Sequence, residues 1–295
     1  MSIILITGAA TGIGNVTAKQ LAQDGHTVYA SMRDISGRNS DAAHALLALA
    51  ERDNLRLHVV DLDVTSQQSA DTAVKTVVDE QGRLDVVVQN AGHLYIGYVE
   101  AFTDEDITHL LDVNAVGAHR VNRAALPYLR RQRSGTLLYV GSTIIVTTPP
   151  FLGPYVASKA AFDALAVVTA YEAAQFGIDT CIVMPGALTQ GTSHFPNASH
   201  ASDTTVTAAY SVLDPLVARN EQATAGLVSP GVDANPQGIA EEISRVLALP
   251  IGGKPFRTVV DFTDAGVEHV MAFSDMTREA FVRRMGFAET LEIRR

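Results

Sequence analysis

Tyr155 and Lys159 are the residues of this 295-residue chain whose types and spacing point most directly to chemistry. They lie four positions apart in an alanine-rich stretch, 154–176, that predicts one helix, so both side chains share a helix face. A free phenol has a pKa near ~10, but a neighbouring ammonium favours the phenolate and lowers that value. The pair therefore predicts a proton donor and acceptor, although an exposed helix face could carry the same two residues.

A glycine-rich segment near the start of the chain predicts a phosphate site. Residues 3–6 predict a β-strand, Thr7-Gly8-Ala-Ala-Thr11-Gly12-Ile13-Gly14 a turn, and residues 15–24 a helix. In that context the glycines permit a tight turn and the close approach of a pyrophosphate to the backbone. The N–H groups at the helix start would bind its charge. A purely structural turn is the alternative.

The end of the second predicted strand, 26–32, indicates which dinucleotide would bind. A carboxylate at this position binds the 2′-hydroxyl of the adenosine ribose, whereas a basic residue suits a 2′-phosphate. The strand is followed by Arg33, whose planar guanidinium pairs well with phosphate, and by Asp34, which competes with it. We therefore predict NADP(H) rather than NAD(H). The structural alternative is a surface ion pair of Arg33 with Asp34 or Asp41.

Strands and helices alternate from residue 3 to residue 141, which predicts an α/β fold of the Rossmann type. Such a doubly wound parallel sheet has helices on both faces, and ligands bind outside the carboxyl ends of its strands. The candidates that follow predicted strands at this edge are Gly8, Asp63, Val64, Asn90, Ala91, Gly92, Ser142, Pro185 and Gly186. We expect Asp63 and Val64 to contact the adenine, while Thr65 or Ser66 also caps the next helix.

Asn114 lies inside a long helical pattern, 103–133, where an asparagine is unfavourable. It signals either a kink or a polar contact, and the residues alone leave both open. Ser142 is thirteen residues before Tyr155, and the proline-containing stretch 143–153 between them predicts a loop that folds back. We therefore expect Ser142 to lie against the start of the helix that carries Tyr155.

In their order and spacing these motifs resemble the short-chain dehydrogenase/reductase superfamily, over residues 3–189 and a final helix and strand. The matching motifs are Thr7-Gly8-x-x-x-Gly12-x-Gly14, Asn90-Ala-Gly92, Asn114, Ser142, Tyr155-x-x-x-Lys159 and Pro185-Gly186. The end of the second strand is similar to NADP-preferring members, including hydroxysteroid dehydrogenases. Gln89 departs from the pattern, because many members have asparagine there.

The resemblance implies a catalytic tetrad. Tyr155 would be the acid/base, and Lys159 would lower its pKa and hold the nicotinamide ribose. Ser142 would bind the substrate oxygen, and Asn114 would hold a water that relays protons. Hydride would pass between the nicotinamide and a carbonyl or secondary alcohol of a small neutral or apolar substrate. Epimerisation or dehydration at the same site, and a non-catalytic NADP-binding regulator, are the alternatives.

The resemblance also implies a set of residues that line the cofactor. They are Gly8, Thr11, Gly12, Ile13, Gly14, Arg33, Asp63, Val64, Asn90, Ala91, Gly92, Tyr155, Lys159, Pro185, Gly186, Leu188 and Thr189. Gln190 and Thr192 are alternatives to Thr189 for the contact with the nicotinamide amide.

The second half of the chain predicts a substrate-specificity region on the same single domain, 1–295. The long irregular stretch 187–236 is typical of a substrate flap. The extension 261–295, with a helix predicted at 274–285, would cover the pocket or an oligomer interface. We expect His93, His194 and His200 to be solvent-exposed, with substrate contacts as the alternative.

Composition excludes several classes of protein. Hydrophobic residues make up 47% and charged residues 18%, which is typical of a well-cored domain, and the net charge of −10 argues against nucleic acid and anionic membranes as partners. No apolar run is long enough for a membrane span, and the first residues lack a basic signal-peptide region. We expect a cytoplasmic protein without metal and with a buried Cys181. The family resemblance implies a homodimer or homotetramer formed through helices rich in alanine.

Overall fold

The computed structural model describes residues 1–188, 190–192, 194–229 and 231–294. Its strands are β1 (Ile3–Ile6), β2 (Thr27–Met32), β3 (Leu57–Asp61), β4 (Val86–Gln89), β5 (Tyr95–Ile96), β6 (Gly135–Val140), β7 (Ile178–Pro185), β8 (Ser199–His200) and β9 (Arg257–Val260). Within the described residues, seven of them form a parallel sheet in the order β3-β2-β1-β4-β6-β7-β9, and β5 pairs separately with β8. This confirms the predicted fold class.

Helices cover both faces of the sheet. They are α1 (Gly12–Gln23), α2 (Ser40–Arg52), α3 (Gln67–Gln81), α4 (Asp104–Leu111), α5 (Gly117–Gln132), α6 (Ile144–Thr147), α7 (Gly153–Ala174), α8 (Thr204–Ala209), α9 (Asp214–Val217), α10 (Asn220–Ala225), α11 (Pro236–Ala248) and α12 (Val267–Arg284). α1, α2 and α11 pack on one face, and α3, α5 and α7 pack on the other.

The strands read as continuous apolar runs because both faces of the sheet are buried. In β1, Leu5 points to the α3–α5–α7 side, whereas Ile4 and Ile6 point to the α1–α2–α11 side. This alternation follows from the two-residue repeat of a strand, and it gives the domain two cores separated by the sheet.

The strand order reverses at β1, which pairs with β2 on one side and with β4 on the other. In an open α/β sheet such a reversal leaves a crevice beyond the carboxyl ends of the strands. The glycine-rich turn after β1 and the Asn90 segment after β4 flank this crevice. Ser142 and Gly186 follow the next two strands along the same edge.

Three segments differ from the sequence-based expectation. The predicted helix 103–133 is interrupted by a π-helical turn, Asp112–Val116, between α4 and α5. The predicted loop 143–153 contains the one-turn helix α6. The last helix begins at Val267, seven residues before its predicted start, because Val267 and Met271 are buried against the sheet.

The C-terminal extension is attached to the core through charged groups. Arg257 of β9 bonds Asp163 of α7 at 2.5 Å and Asp275 of α12 at 3.1 Å, and its side chain is almost fully buried. The backbone N–H of Arg294 donates to the carbonyl of Ala174 at the end of α7. The extension therefore braces α7. In the part of the chain that the structure describes, no helix is long and apolar enough to span a membrane.

Candidate active site

The glycine-rich turn is locked to the loop that follows β4. Thr7 Oγ1 accepts from the N–H groups of Asn90 and Ala91 at 2.9 and 3.0 Å, and the Asn90 amide donates to the carbonyl of Gly8 at 3.0 Å. Gly8 has a φ of +67°, which disfavours any side chain there. A Cβ on Gly14 would lie 2.4 Å from Asn90 Nδ2. The two loops therefore form one rigid backbone surface.

The start of α1 is open towards this surface. Thr11 is exposed at the N-cap, and its side chain makes no capping hydrogen bond, so the first N–H groups of the helix, including that of Ile13, remain available to an anion. Gly12 has a φ of +57°, and a Cβ built there would lie 3.5 Å from Thr192 of the flap. Thr192, the alternative contact, therefore lies against the glycine turn. The predicted contact Thr189 lies outside the described residues.

Arg33 is exposed beyond the end of β2, and no carboxylate forms an ion pair with it among the residues described. Asp34, which could compete with a phosphate for Arg33, bonds a backbone N–H group instead of the guanidinium. One carboxylate oxygen of Asp34 accepts from the N–H of Arg38 at 2.8 Å, and both oxygens face the backbone of Gly37. The predicted alternative, a pair of Arg33 with Asp34 or Asp41, does not occur. The guanidinium is therefore free for a ligand.

Within the described residues, one carboxylate oxygen of Asp63 accepts hydrogen bonds and the other accepts none. Oδ1 accepts from the N–H of Thr65 at 2.9 Å and from its hydroxyl at 2.8 Å, while Ser66 caps α3. Burial raises the pKa of Asp63, but the two bonds from Thr65 together with the charges of Arg33 and Arg120 outweigh it, and the net pKa is lowered. Val64 follows directly, packed against Gly117. Both predictions for this segment, an adenine contact and a helix cap, are compatible with the geometry.

Ser142 and Tyr155 meet as predicted. Ser142 follows β6, accepts from the N–H of Ile144 at 3.2 Å, and hydrogen-bonds the phenol of Tyr155. Burial raises the pKa of Tyr155 above its ordinary value, and the bond from Ser142 lowers it in part. At neutral pH the phenol is therefore protonated and can donate.

Lys159 lies on the same face of α7, but its ammonium is directed to the end of β6. Nζ donates to the carbonyl of Val140 at 3.1 Å, and burial lowers the pKa of Lys159 to about 8. The predicted lowering of the Tyr155 pKa by Lys159 is wrong for this geometry, because desolvation of the phenol dominates. A Cβ on Gly92 would lie 3.8 Å from Nζ, so Lys159 borders the dinucleotide surface.

Asn114 makes a polar contact at the kink, as one of its two interpretations predicted. It lies in the π-helical turn, a feature that often marks functional sites. Oδ1 accepts from the N–H of His93 at 2.7 Å, and Nδ2 donates to the carbonyl of His93 at 2.9 Å and to Ser158 Oγ at 2.8 Å. Both amide protons are thus used by the protein, and a water here would have to donate to an oxygen.

Pro185 and Gly186 close the site from β7. The N–H of Thr143 donates to the carbonyl of Pro185 at 2.9 Å, and the N–H of Gly186 donates to the carbonyl of Val260 at 2.8 Å. A Cβ on Gly186 would lie 2.3 Å from Asp261, so only glycine fits. Leu188 is buried in the α1–α2–α11 core, which fixes the start of the flap.

The expectation of solvent-exposed histidines is wrong for two of the three. His194 Nε2 lies 3.2 Å from the Tyr155 hydroxyl, and His93 Nε2 lies 2.8 Å from Ser199 Oγ. Burial, and then the charge of Lys159, lower the pKa of His194 to about 4, so the imidazole is neutral. His200 is exposed as predicted. The contact of His194 bridges 39 positions of the chain, and no local spacing indicates it.

Two further polar residues of the site were not predicted to have a role. Ser158 links Asn114 to the backbone of α7, because its hydroxyl also donates to the carbonyl of Tyr155 at 2.8 Å. Gln89, the departure noted above, donates to Asn122 Oδ1 at 2.9 Å and supports β4 from the core. The position of Ser158 directly before Lys159 was the available signal. Cys181 is buried as predicted.

The residues present fit a nicotinamide dinucleotide. An uncapped helix start faces a glycine-lined backbone surface, an unpaired guanidinium stands beyond β2, and Lys159 stands at the other end beside Gly92. Among the described residues, no group of three His, Cys, Asp or Glu side chains is placed to hold a metal ion.

Comparison with known proteins agrees with this geometry. A family model described as short chain dehydrogenase matches residues 2–201. A 3-ketodihydrosphingosine reductase from Bacteroides thetaiotaomicron is 31% identical over 259 residues, which are 88% of this chain and 87% of that protein. The human 17-beta-hydroxysteroid dehydrogenase type 1 is 36% identical over 190 residues, 63% of this chain and 56% of that protein.

Two solved structures extend the comparison to the fold. A short-chain dehydrogenase from Streptomyces avermitilis superposes with a TM-score of 0.74 at 25% identity, covering 97% of this chain and 98% of its own. An alcohol dehydrogenase from Thermococcus sibiricus, complexed with 5-hydroxy-NADP, superposes with a TM-score of 0.69 at 25% identity, covering 89% of this chain and 97% of its own.

Proposed function

The chain belongs to the short-chain dehydrogenase family of NAD(P)-dependent oxidoreductases, and from this premise we propose that it is an NADP(H)-dependent carbonyl reductase or alcohol dehydrogenase. One observation carries the proposal. Ser142, Tyr155 and Lys159 converge at the end of β6, beside the backbone surface that suits a dinucleotide. A binding protein without chemistry has no need for a buried phenol that is hydrogen-bonded to a serine hydroxyl.

Each of the three side chains has a role in reduction. Ser142 donates to the carbonyl oxygen and stabilises the charge that develops on it. Tyr155 gives that oxygen its proton, and its raised pKa keeps the phenol protonated at neutral pH. Lys159 is a buried cation beside Gly92 that would hold ribose hydroxyls of the cofactor. The bound nicotinamide supplies the hydride.

The preference for NADP(H) rests on Arg33 and Asp34. The Arg33 guanidinium has no ion-pair partner among the described residues, so a 2′-phosphate would find an unpaired cation. One oxygen of the Asp34 carboxylate is occupied by the N–H of Arg38, whereas within the described chain the Arg33 guanidinium has all its donors free of carboxylates. We expect replacement of Arg33 by alanine to weaken NADPH binding at least tenfold, as loss of a charged hydrogen bond of about 1.5–3 kcal/mol requires.

The cofactor test compares NADPH and NADH dissociation constants by nucleotide fluorescence in wild type and Arg33→Ala. NADH affinity should change little. Arg52→Ala is the matched control, because Arg52 is an exposed arginine paired with Asp53 at the far end of α2. An unchanged ratio of the two dissociation constants in Arg33→Ala would show that another residue selects the cofactor.

The proposed substrate is neutral and largely apolar. Tyr155 belongs to an apolar cluster that includes Ile96, Phe102, Ile144 and Leu152, and Phe195 of the flap packs against it. The relative named 3-ketodihydrosphingosine reductase makes that ketone a reasonable first candidate, together with steroid ketones and small cyclic ketones. Absorbance of NADPH at fixed enzyme concentration measures turnover over this panel. Turnover with none of these ketones or the corresponding alcohols would contradict the proposed activity.

The proposal includes a flap, an assembly and a location. Residues 187–236 would form the substrate flap of a single domain, 1–295. Leu165 and Val168 of α7 are exposed by 44% and 53%, which supports a homodimer or homotetramer formed through this helix. The proposed location is the cytoplasm, based on the lone buried Cys181. Light scattering of the purified protein tests the assembly.

A further inference from the structure

His194 is the one flap residue, among those described, that hydrogen-bonds the catalytic phenol. Its Nε2 lies 3.2 Å from the Tyr155 hydroxyl, and the two rings meet edge to face with centroids 5.4 Å apart. The flap approaches the site here because Thr192 packs over Gly12 and the backbone N–H of His194 donates to the Thr192 hydroxyl at 3.4 Å. The imidazole is therefore positioned by the segment that borders the cofactor surface.

The surroundings of His194 keep it uncharged. The titratable groups that face it are Tyr155 and Lys159 of α7 and His93, which follows β4. Burial disfavours the imidazolium, and the Lys159 ammonium repels it, so the pKa falls to about 4. A neutral imidazole carries one proton and one lone pair, on different nitrogens. It can therefore donate at Nε2 while accepting at Nδ1.

The opposite ring nitrogen is unoccupied within the described part of the chain. No group there hydrogen-bonds Nδ1, and the His194 side chain as a whole keeps part of its surface accessible to solvent. The other route, which the family resemblance implies, runs through Asn114, whose two amide protons are bonded to protein oxygens, and through Lys159, one of whose three N–H groups donates to Val140. His194 thus offers a connection from solvent to the phenol.

On the basis of the proposed reductase function, we propose that His194 is a further catalytic residue, which returns a proton from solvent to Tyr155 through its two ring nitrogens. In reduction, the Tyr155 O–H bond breaks as its proton passes to the substrate oxygen. The His194 Nε2–H bond then breaks as that proton passes to the phenolate oxygen. Nδ1 takes a proton from water, so one solvent proton is consumed for each carbonyl reduced, and the imidazole is left neutral in its other tautomer. Exchange of the ring proton with water restores the Nε2–H tautomer before the next turnover.

This assignment is compatible with substrate binding at the same phenol. A phenol oxygen that donates its own proton to the substrate still accepts a hydrogen bond from Nε2–H. The developing phenolate also offsets the repulsion from Lys159 at the moment when the imidazole exchanges protons. In oxidation of an alcohol the same steps run in reverse, and a proton leaves through Nδ1.

The first test needs no turnover and stands even if the proposed activity fails. In nitrogen-15 NMR of histidine-labelled protein, one of the nine histidines should stay neutral to below pH 5 and disappear in His194→Gln. Its tautomer signals should shift in Tyr155→Phe. If His194 instead titrates near its ordinary pKa of ~6.5 and is unaffected by Tyr155→Phe, the hydrogen bond is absent and the proposal is overturned.

The second test separates a proton relay from a hydrogen bond that only positions the phenol. His194→Gln keeps a hydrogen-bond donor but cannot exchange tautomers, and we expect it to lower kcat at least about tenfold with NADPH affinity unchanged. His194→Ala should be similarly slow and should be restored by added imidazole. His200→Gln is the control, since His200 is an exposed flap histidine that contacts Ile96.

Wild-type kcat in His194→Gln, or an alanine variant that imidazole does not restore, would each overturn the relay. Wild-type kcat in His194→Gln would show that the hydrogen bond of His194 only positions the phenol. An alanine variant that imidazole does not restore would show that its low kcat comes from lost packing. Absence of turnover in wild type would instead count against the proposed function, and the NMR titration would still decide whether His194 and Tyr155 are coupled.

Discussion

Helix α7 carries the catalytic phenol of Tyr155 and the flap presents His194 to its oxygen, but the two regions are held in place differently. α7 is a 22-residue helix with eight buried residues, among them Tyr155 and Lys159. The described residues of the flap between 190 and 229 include no fully buried side chain. The flap is held by partly buried apolar residues such as Phe195, and by hydrogen bonds such as Tyr98 to Asp214 at 2.7 Å and Ser202 to Asp106 at 2.7 Å.

This difference predicts that substitutions around α7 change the stability of the fold, whereas substitutions in the flap change the affinity for substrate. Burial of α7 fixes the proton donor Tyr155 within the folding core. Substitution of a residue that packs against or bonds α7 should therefore lower the free energy of unfolding. The flap rests on hydrogen bonds and on apolar contacts that are only partly buried, which are worth little individually and open at low cost. Changes in the flap should therefore appear in substrate affinity and leave the fold unchanged.

The largest effect on stability is expected where α7 is braced by the C-terminal extension. Arg257→Met would leave Asp163 of α7 and Asp275 of α12 without a common partner in a nearly buried site. Removing one member of such a group costs about 3–5 kcal/mol. Urea unfolding measures the loss. Arg245→Met is the control, because Arg245 pairs with Glu242 at the surface and should cost below about 1 kcal/mol. Equal losses in the two variants would show that the extension does not brace α7.

A smaller, pH-dependent effect is expected at Lys159. Its native pKa of about 8 lies below its ordinary 10.5, so between these values the unfolded chain binds more protons and stability rises with pH. Lys159→Met lacks this gain. Thermal unfolding from pH 7 to pH 9.5 should show wild type becoming more stable relative to the variant as pH rises through about 8. The exposed Lys75→Met should track wild type throughout. A constant difference between wild type and Lys159→Met would mean that Lys159 is not desolvated.

The smallest effect is expected in the flap. Ser202→Ala removes one hydrogen bond to the Asp106 carboxylate, worth about 0.5–1.5 kcal/mol, and should raise KM roughly two- to tenfold with the melting temperature unchanged. Ser211→Ala is a suitable control, because Ser211 is exposed and its hydroxyl makes no bond within the described residues. If Ser202→Ala lowered the melting temperature by several degrees and left KM unaltered, the flap would belong to the folding core.

The same contrast explains how much was predictable from the sequence. The sheet, the glycine turn and the Tyr155–Lys159 face follow from short-range patterns, because strand alternation and helix periodicity fix neighbours within a few residues. The ends of parallel strands also meet at one edge, so Ser142 could be placed near Tyr155 without coordinates.

The rest depended on contacts between distant segments. The π-helical turn around Asn114 interrupts a continuous helical pattern, and it is held by Asp112 bonded to Arg120 at 2.6 Å. His194 reaches Tyr155 only through the path of an irregular flap, and its depressed pKa arises from burial and from Lys159. The raised pKa of Tyr155 was missed for a similar reason. The spacing indicates that a cation is near, but it does not indicate how strongly the phenol is desolvated.

The most direct measurement of the central claim is the turnover of Tyr155→Phe. The substitution removes one oxygen from a buried ring and leaves the glycine turn, Arg33 and Lys159 in place. We predict that NADPH-dependent carbonyl reduction falls by about 10²–10⁴-fold, while the NADPH dissociation constant stays within about threefold of wild type. Turnover close to that of wild type would contradict the account, since the proton would then come from another group.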